Sequence, residues 1–423
     1  VAATVPPTPA RVQRTYLLLV LLTTLATSLI WGVNTLFLLD AGLDNLQAFA
    51  ANAFYTAGMV LFEVPTGVVA DLRGRRLSFV LGAATLAVGT AAYVALWWAQ
   101  APFAAWAVVS VVLGLGYTFF SGATEAWAVD ALRASGYRGP LEAVFGRAQA
   151  VQGGAMLVGS VGGGVLAQAT NLGVPFVVRA LLLLATVAVA LVLMRDWGWT
   201  RVTGVGPVRA VRAVLDDSLR FGLGRPEVRW VMLTAPFVSG VAVYAFYAMQ
   251  PYLLELYGDE GAYAVAGLAA AIVAGAQVAG GLLAARLMRA VRLRTTVLLA
   301  ATVAGAVSLV LAGLAPGFAA VVGLLVVWGL SGAAALPVRQ SYLNALIPGP
   351  QRATVLSFDS LLGSAGGVAV QPALGRVADL SGYAPTFVVS GLVQAAAVPL
   401  LLLARRTRTP ADTTALTSPA SSR

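Results

Sequence analysis

Long apolar runs, broken at short intervals by Gly, Pro and clusters of charge, set the pattern of this chain. Runs of about 20 apolar residues match the length a helix needs to cross a bilayer core at about 1.5 Å per residue. Twelve such helices are predicted, over residues 15–39, 46–70, 77–98, 103–131, 143–169, 175–194, 229–256, 262–287, 295–314, 318–345, 353–378 and 383–404. The first follows Arg11 and Arg14 as a signal peptide would, but it is too long for a signal peptide's apolar core and eleven spans follow it, so it reads as the first span. The longest polar interval, 195–228, divides the spans six and six. Within it Val208, Val211, Leu215 and Leu219 recur at helical spacing with Arg209, Arg212 and Arg220 between them, the pattern of an amphipathic helix lying on a membrane surface. The predicted organisation is an N-terminal segment (1–14), a six-helix bundle (15–194), a linker (195–228), a second six-helix bundle (229–404) and a Ser-, Thr- and Pro-rich tail (405–423) expected to be disordered.

Composition sharpens this picture. Hydrophobic residues make up 59% of the 423 and charged residues only 10%, with a mean hydropathy of +0.85. One soluble globule cannot hide that much apolar surface, so a soluble enzyme and a disordered chain are both excluded. The absence of cysteine excludes a disulfide scaffold, and without histidine as well no structural metal site is expected. No nucleophile–base pair or phosphate loop is visible, so neither an enzyme nor a cofactor is expected. The net charge is +10 and all 27 cations are arginine. In a soluble domain this would suggest nucleic acid; here the arginines sit in short inter-helix loops, where they orient the chain. With both termini placed in the cytoplasm, 25 arginines fall on that side and only Arg179 and Arg376 on the other. Acids line the outer loops instead: Asp40, Asp44, Glu255, Asp259 and Glu260. A multi-pass protein of the bacterial inner membrane is expected, with Arg179 snorkelling to the interface.

The halves echo each other. The fourth span ends Glu125-Ala-Trp-Ala-Val-Asp130-Ala-Leu132 and the tenth Arg339-Gln-Ser-Tyr-Leu-Asn344-Ala-Leu346, an offset of 214 residues. Two related halves of this kind point to a secondary transporter. Between spans two and three stands Gly67-Val-Val-Ala-Asp71-Leu-Arg73-Gly74-Arg75-Arg76, with weaker echoes at Gly281, Arg286 and Arg289 and at Gly375 to Gly382. This resembles the G-x-x-x-D-x-x-G-R-R signature of the major facilitator superfamily, at the place where that family carries it. The resemblance covers about 400 residues when the topology is included. It implies an all-α fold of twelve transmembrane helices in two pseudo-symmetric six-helix bundles, and a cavity lined by spans one, four, seven and ten. It also implies a conformational latch at Gly67, Asp71, Gly74, Arg75 and Arg76, with Asp130 and Arg147 as its charged scaffold. Physically, Gly67 would let span two approach a neighbour, Asp71 would lie beyond the helix end to receive N–H groups, and Gly74 would allow the tight turn.

The fifth span keeps Gly146, Gly159, Gly163 and Gly164 of the glycine motif of the family's exporter branch, the drug:proton antiporters, but has Ala155 and Ser160 at the two other positions. The arginine those exporters carry in span four is also missing: Ser110 stands four residues before Gly114. Proton coupling must then fall to carboxylates. Ionisable residues inside spans are costly and mark function, and three stand out: Glu63, Glu125 and Asp359. Arg147 could pair with Glu125 or Asp130, and Arg75 or Arg352 with another acid. Polar side chains converge on the expected cavity: Thr24, Ser28, Trp31, Asn34 and Thr35 in span one, Tyr117 and Thr124 in span four, Gln149, Gln152 and Met156 in span five, Tyr244, Tyr247 and Gln250 in span seven and Gln277 in span eight. Aromatic and amide groups with one or two acids suit a neutral or cationic amphipathic guest and disfavour phosphates. The function expected is proton-coupled export of amphipathic small molecules or drugs by alternating access. Symport of a sugar-like or other polar nutrient and lipid flipping are the alternatives. The expected partners are a small-molecule substrate, protons and the lipid bilayer, and the two-half design needs no second copy, so a monomer is expected.

Overall fold

The computed structural model describes residues 7–120, 122–200 and 218–413. All regular secondary structure among them is helical. A bilayer imposes this: it offers no water to backbone N–H and C=O groups, and a helix satisfies them within one segment. The chain forms two compact units, Val1–Arg209 with Gly258–Ala271, and Ala210–Tyr257 with Ile272–Arg423.

The first unit contains α1 (Pro9–Ser28), α2 (Asn34–Asp40), α3 (Asn45–Arg73), α4 (Arg75–Trp98), α5 (Phe103–Thr118), α6 (Ala123–Ala134), α7 (Leu141–Ala169) and α8 (Gly173–Leu193). The second contains α9 (Pro226–Met232), α10 (Ala235–Tyr257), α12 (Arg294–Leu314), α13 (Phe318–Leu346), α14 (Arg352–Ser381), α15 (Tyr383–Ala395) and α16 (Ala397–Arg406). Helix α11 (Tyr263–Ala290) gives its first part to one unit and the rest to the other.

Among the described residues, ten helical segments have the length and hydropathy of a membrane span. The predicted first and eleventh spans are helical but are not among those ten. The first is interrupted between Ser28 and Asn34: the Ser28 hydroxyl lies 2.8 Å from the Thr24 carbonyl oxygen and 3.2 Å from that of Ala155 on α7. The eleventh, α14, runs unbroken for 30 residues. Span four is likewise two helices, α5 and α6, with left-handed Gly122 (φ +71°) between them.

Local chemistry fixes the helix ends. Asp44 and Gln47 form a reciprocal capping box at the start of α3: Gln47 N–H donates to Asp44 Oδ1 (2.8 Å) and Asp44 N–H to Gln47 Oε1 (3.3 Å), an arrangement worth about 1 kcal/mol. Gly74 closes α3 and opens α4 with φ +105°, a conformation costly for any side chain.

Small residues bring the helices together, as expected where lipid offers no hydrophobic drive for association. In the first unit α3 packs on α5, α4 on α5 and α8, and α1 on α7; in the second α10 packs on α14, and α12 on α13 and α15. At α3–α5 a Cβ on Gly58 would lie 2.5 Å from the Val111 carbonyl oxygen, and at α10–α14 one on Gly240 would lie 2.7 Å from that of Gly366. On α7, Gly159 meets Ser28, Gly163 meets the Leu29 backbone, and Gly164 meets Tyr263 and Gly267 of the same unit. A ring cluster of Phe37, Tyr93, Trp106 and Phe176 fills one part of this unit, with Phe37 and Phe176 stacked at 3.9 Å. Arg179 is only 9% exposed, buried and not reaching outward as expected of it.

The amphipathic helix predicted within 195–228 lies largely outside the described residues, over 201–217. Ser218–Leu223 that follow form one π-helical turn, and Arg220 within it and Arg225 beyond it approach the Phe221 ring at 5.4 and 5.6 Å. Of the tail, residues up to 413 are described: α16 ends at Arg406, and Pro410–Asp412 form a tight turn docked on the start of α12.

Candidate functional site

The first unit holds a cavity of about 550 Å³, a volume in the range of small-molecule sites. Its walls come from α1 (Tyr16, Val20, Thr23, Thr24, Thr27), the helix interruption (Trp31), the α5–α6 region (Tyr117, Phe120, Gly122, Thr124, Glu125) and α7 (Phe145, Ala148, Gln149, Gln152, Met156). The break in span one and the left-handed Gly122 therefore both lie at this cavity. Rings pack behind one another here: Tyr16 meets Phe145 edge-on at 6.2 Å, and Tyr55 supports Tyr117 at 6.2 Å. Gln149 and Gln152, one turn apart on α7, present amide donors and acceptors on one face. Thr23 and Thr27 spend their hydroxyl protons on the carbonyls of Leu19 and Thr23, both at 2.8 Å. Their oxygens remain as acceptors. Among the described residues Glu125 is the single carboxylate on the wall, and no cation lines it.

Of the residues singled out from sequence, Trp31, Tyr117, Gln149, Gln152 and Glu125, together with Thr24, Thr124 and Met156, thus meet at one cavity. The structure places the others elsewhere. Asn34 is buried and donates to Asn52 Oδ1 at 3.1 Å, bracing α2 against α3. Glu63 is exposed on α3, two residues before Pro65 and away from this cavity. In the second unit Tyr244 and Gln250 are fully buried, Tyr247 packs edge-on against Phe246 at 5.4 Å, and Gln277 is exposed beside Gly329. Ser28 and Thr35 of the expected polar stripe are buried.

Asp359 is held by Arg339 in a bidentate pair, with Nη1–Oδ2 at 2.5 Å and Nη2–Oδ1 at 2.6 Å. Arg339 also donates to the Val231 carbonyl at 3.3 Å, tying α9, α13 and α14 together. Sequence reasoning offered Arg75 or Arg352 as partners for such an acid and missed Arg339. Its one signal was position: it stands where the repeat puts Glu125 in the first half.

At the α3–α4 turn the arrangement also differs from expectation. Helix α3 continues to Arg73, so Asp71 lies inside the helix and pairs with Arg75 at 2.9 Å. The first turn of α4 is instead received by Asp196, whose Oδ1 accepts the Arg76 N–H at 2.8 Å. Arg76 also donates from its guanidinium to the Leu191 carbonyl at 2.6 Å. Burial pushes the Asp196 carboxyl above the usual carboxylate range, opposed by Arg76 and Arg75 through N–H groups and charge. Gly74 turns as expected, and around Gly67 no atom of the described residues outside its own helix backbone lies within 4 Å of a notional Cβ. Arg147 donates to Gln13 Oε1 at 3.4 Å; neither Glu125 nor Asp130 takes it in an ion pair among the described residues. Asp130 contributes its backbone carbonyl as the seat of left-handed Gly198.

Where drug exporters would carry an arginine, Ser110 is fully buried and lies 2.6 Å from the Tyr93 hydroxyl while donating to the Trp106 carbonyl at 2.7 Å. A serine–tyrosine pair closes that position.

Ten candidate spans among the described residues and a polar cavity in the first unit are the features of a multi-pass membrane transporter. The Major Facilitator Superfamily model matches residues 16–307 and again 237–422, and the chain belongs to that superfamily. Solved structures agree in fold. The nucleoside transporter NupG superposes with a TM-score of 0.76 at 12% identity, covering 93% of this chain and 99% of that one. A POT family transporter in complex with a thioalcohol-conjugated peptide gives 0.70 at 13%, covering 93% and 96%. A bacterial homologue of the human lysosomal transporter Spinster, inward-facing and occupied, gives 0.68 at 16%, covering 98% and 99%. No curated protein sequence matches the chain.

Proposed function

We propose that the protein is a secondary active transporter of the inner membrane that exports neutral or cationic amphipathic molecules by alternating access, driven by inward proton flow. The observation that carries this reading is the cavity of the first unit: five aromatic side chains, two glutamines and one carboxylate, with no cation on its wall. Ring faces and a carboxylate attract a cation, and the apolar wall rewards the hydrophobic part of the guest. An anionic guest would find no positive partner there. A lone carboxylate in a membrane interior must be neutralised before the site closes around it. At Glu125 either a proton or a cationic substrate can do this, and that competition is the coupling. Asp359 suits the role less, because a proton arriving there must displace a bidentate arginine. Glu63 lies outside this cavity. The glycines along α7 that match the exporter pattern support the outward direction.

The test uses proteoliposomes holding a pH gradient reported by a quenched dye. Amphipathic cations and neutral drugs added to the wild type should collapse the gradient, Glu125→Gln should abolish the response, and Glu63→Gln should retain it. A response lost in Glu63→Gln and kept in Glu125→Gln would overturn the assignment. The paired glutamines and threonine oxygens favour one second reading, symport of a polar nutrient. A response to sugars alone would establish it.

A further inference from the structure

A second cavity lies in the other unit, about 570 Å³ in volume, between the end of α16, the docked 408–413 segment and Leu293 at the start of α12. Leu402, Arg405 and Arg406 share one face of α16, being three and four residues apart, and Arg408 joins them from beyond the helix. All three arginines are exposed, and none is in an ion pair among the described residues. Arg405 and Arg406 stand in the last helical turn, where they also complement the carbonyl end of the dipole. Arg408 has no such use. It adopts φ +49°, in the left-handed region where a helix end normally takes glycine. An arginine kept in that conformation breaks a local rule and brings a third guanidinium to the same cavity.

The wall opposite is fixed. Asp412 caps α12, accepting from Thr295 N–H and Thr295 Oγ1, both at 2.7 Å, and is 5% exposed, so its charge is already engaged. Arg294 donates to the Ala411 carbonyl at 2.5 Å, and Leu293 pairs with Thr413 as an isolated β-bridge. The cavity is thus a built pocket, cationic on one wall. Because α15 and α16 together make the last span, Tyr383–Arg406, the pocket lies where that span leaves the hydrocarbon, at headgroup level. Leu402, 46% exposed, continues its apolar side towards the span.

We propose that this pocket binds a phosphate-ester anion, held by Arg405, Arg406 and Arg408, as the headgroup of an anionic phospholipid whose acyl chain runs past Leu402. Guanidinium groups match phosphate oxygens in geometry and charge, and the interface supplies such groups at high local concentration. The site is separate from the transport cavity and does not depend on that reading.

Native mass spectrometry of the purified full chain tests it, with phosphatidylglycerol, phosphatidylcholine and inorganic phosphate as probes. Wild type should bind phosphatidylglycerol in clear preference to phosphatidylcholine. Arg408→Gln should weaken it about fivefold, and R405Q/R406Q/R408Q about a hundredfold, at about 1 kcal/mol per arginine near an anionic headgroup. Competition by millimolar inorganic phosphate would assign the site to free phosphate, and its absence to the lipid headgroup; both keep the phosphate chemistry. Equal binding of the two lipids, or a triple variant indistinguishable from wild type, overturns the proposal. Should the triple variant misfold, the exposed single Arg408→Gln carries the test.

Discussion

At the residue scale the most consequential contact is the Arg339–Asp359 pair. Both groups are drawn into the second unit, with side chains 20% and 9% exposed. Desolvating two charges gains little on balance, but removing one partner leaves the other stranded, at a cost of about 3–5 kcal/mol. Asp359→Asn and Arg339→Gln should therefore each lower the midpoint of thermal unfolding in detergent strongly. The double variant Asp359→Leu with Arg339→Met should recover most of the loss, and additive losses would refute the coupling. This pair also shows what could be read in advance. Asp359 was visible as an acid inside an apolar run, and Glu125, Gln149 and Gln152 as polar groups likewise out of place. Who pairs with whom was not, because partners 20 residues apart on different helices meet only through packing. The same holds for Asn34, whose partner Asn52 lies 18 residues on in a different helix.

At the scale of elements, helix positions were legible because the bilayer sets length and hydropathy together, and Gly74 was legible because a turn that tight needs a left-handed residue. The interruption at 29–33 was not, since Leu29, Ile30 and Val33 continue the apolar pattern, and the cause is close packing of Gly32 and Ser28 against distant backbone. Asp196 was equally hidden. It lies just past the end of α8 yet serves the start of α4, accepting the Arg76 N–H. Burial raises its carboxyl above the ordinary 3.8. Between that value and the folded one, the native chain binds more protons than the unfolded chain, so this group adds stability as pH falls through the window. Asp196→Asn should flatten that part of the acid-side stability profile without loss at neutral pH. Asp196→Ala removes the acceptor and should cost about 1–3 kcal/mol at every pH. Thermal unfolding across about pH 4 to 7 separates the two. Identical profiles for wild type and Asp196→Asn would show that the carboxyl titrates normally.

For the whole molecule, arginine placement gives the sharpest statement. Moving a guanidinium through hydrocarbon costs enough that cationic loops stay on the side of synthesis, and with both termini inside 25 of the 27 arginines fall on that side. The last turn of α6 and the loop after it hold Arg133 and Arg138, whereas the loop between α10 and α11 holds Asp259 and Glu260. The two should face opposite sides of the membrane. The chain has no cysteine, so each thiol introduced is the sole thiol present and reports its own position without correction. In intact cells a membrane-impermeant maleimide should label Glu260→Cys and leave Arg138→Cys untouched until the membrane is opened. Both positions are exposed, so protection can come only from the bilayer. Labelling of Arg138→Cys in sealed cells would invert the topology. It would also carry the arginine pocket of α16 to the outer leaflet, where the phosphatidylglycerol preference proposed for it would have to be met.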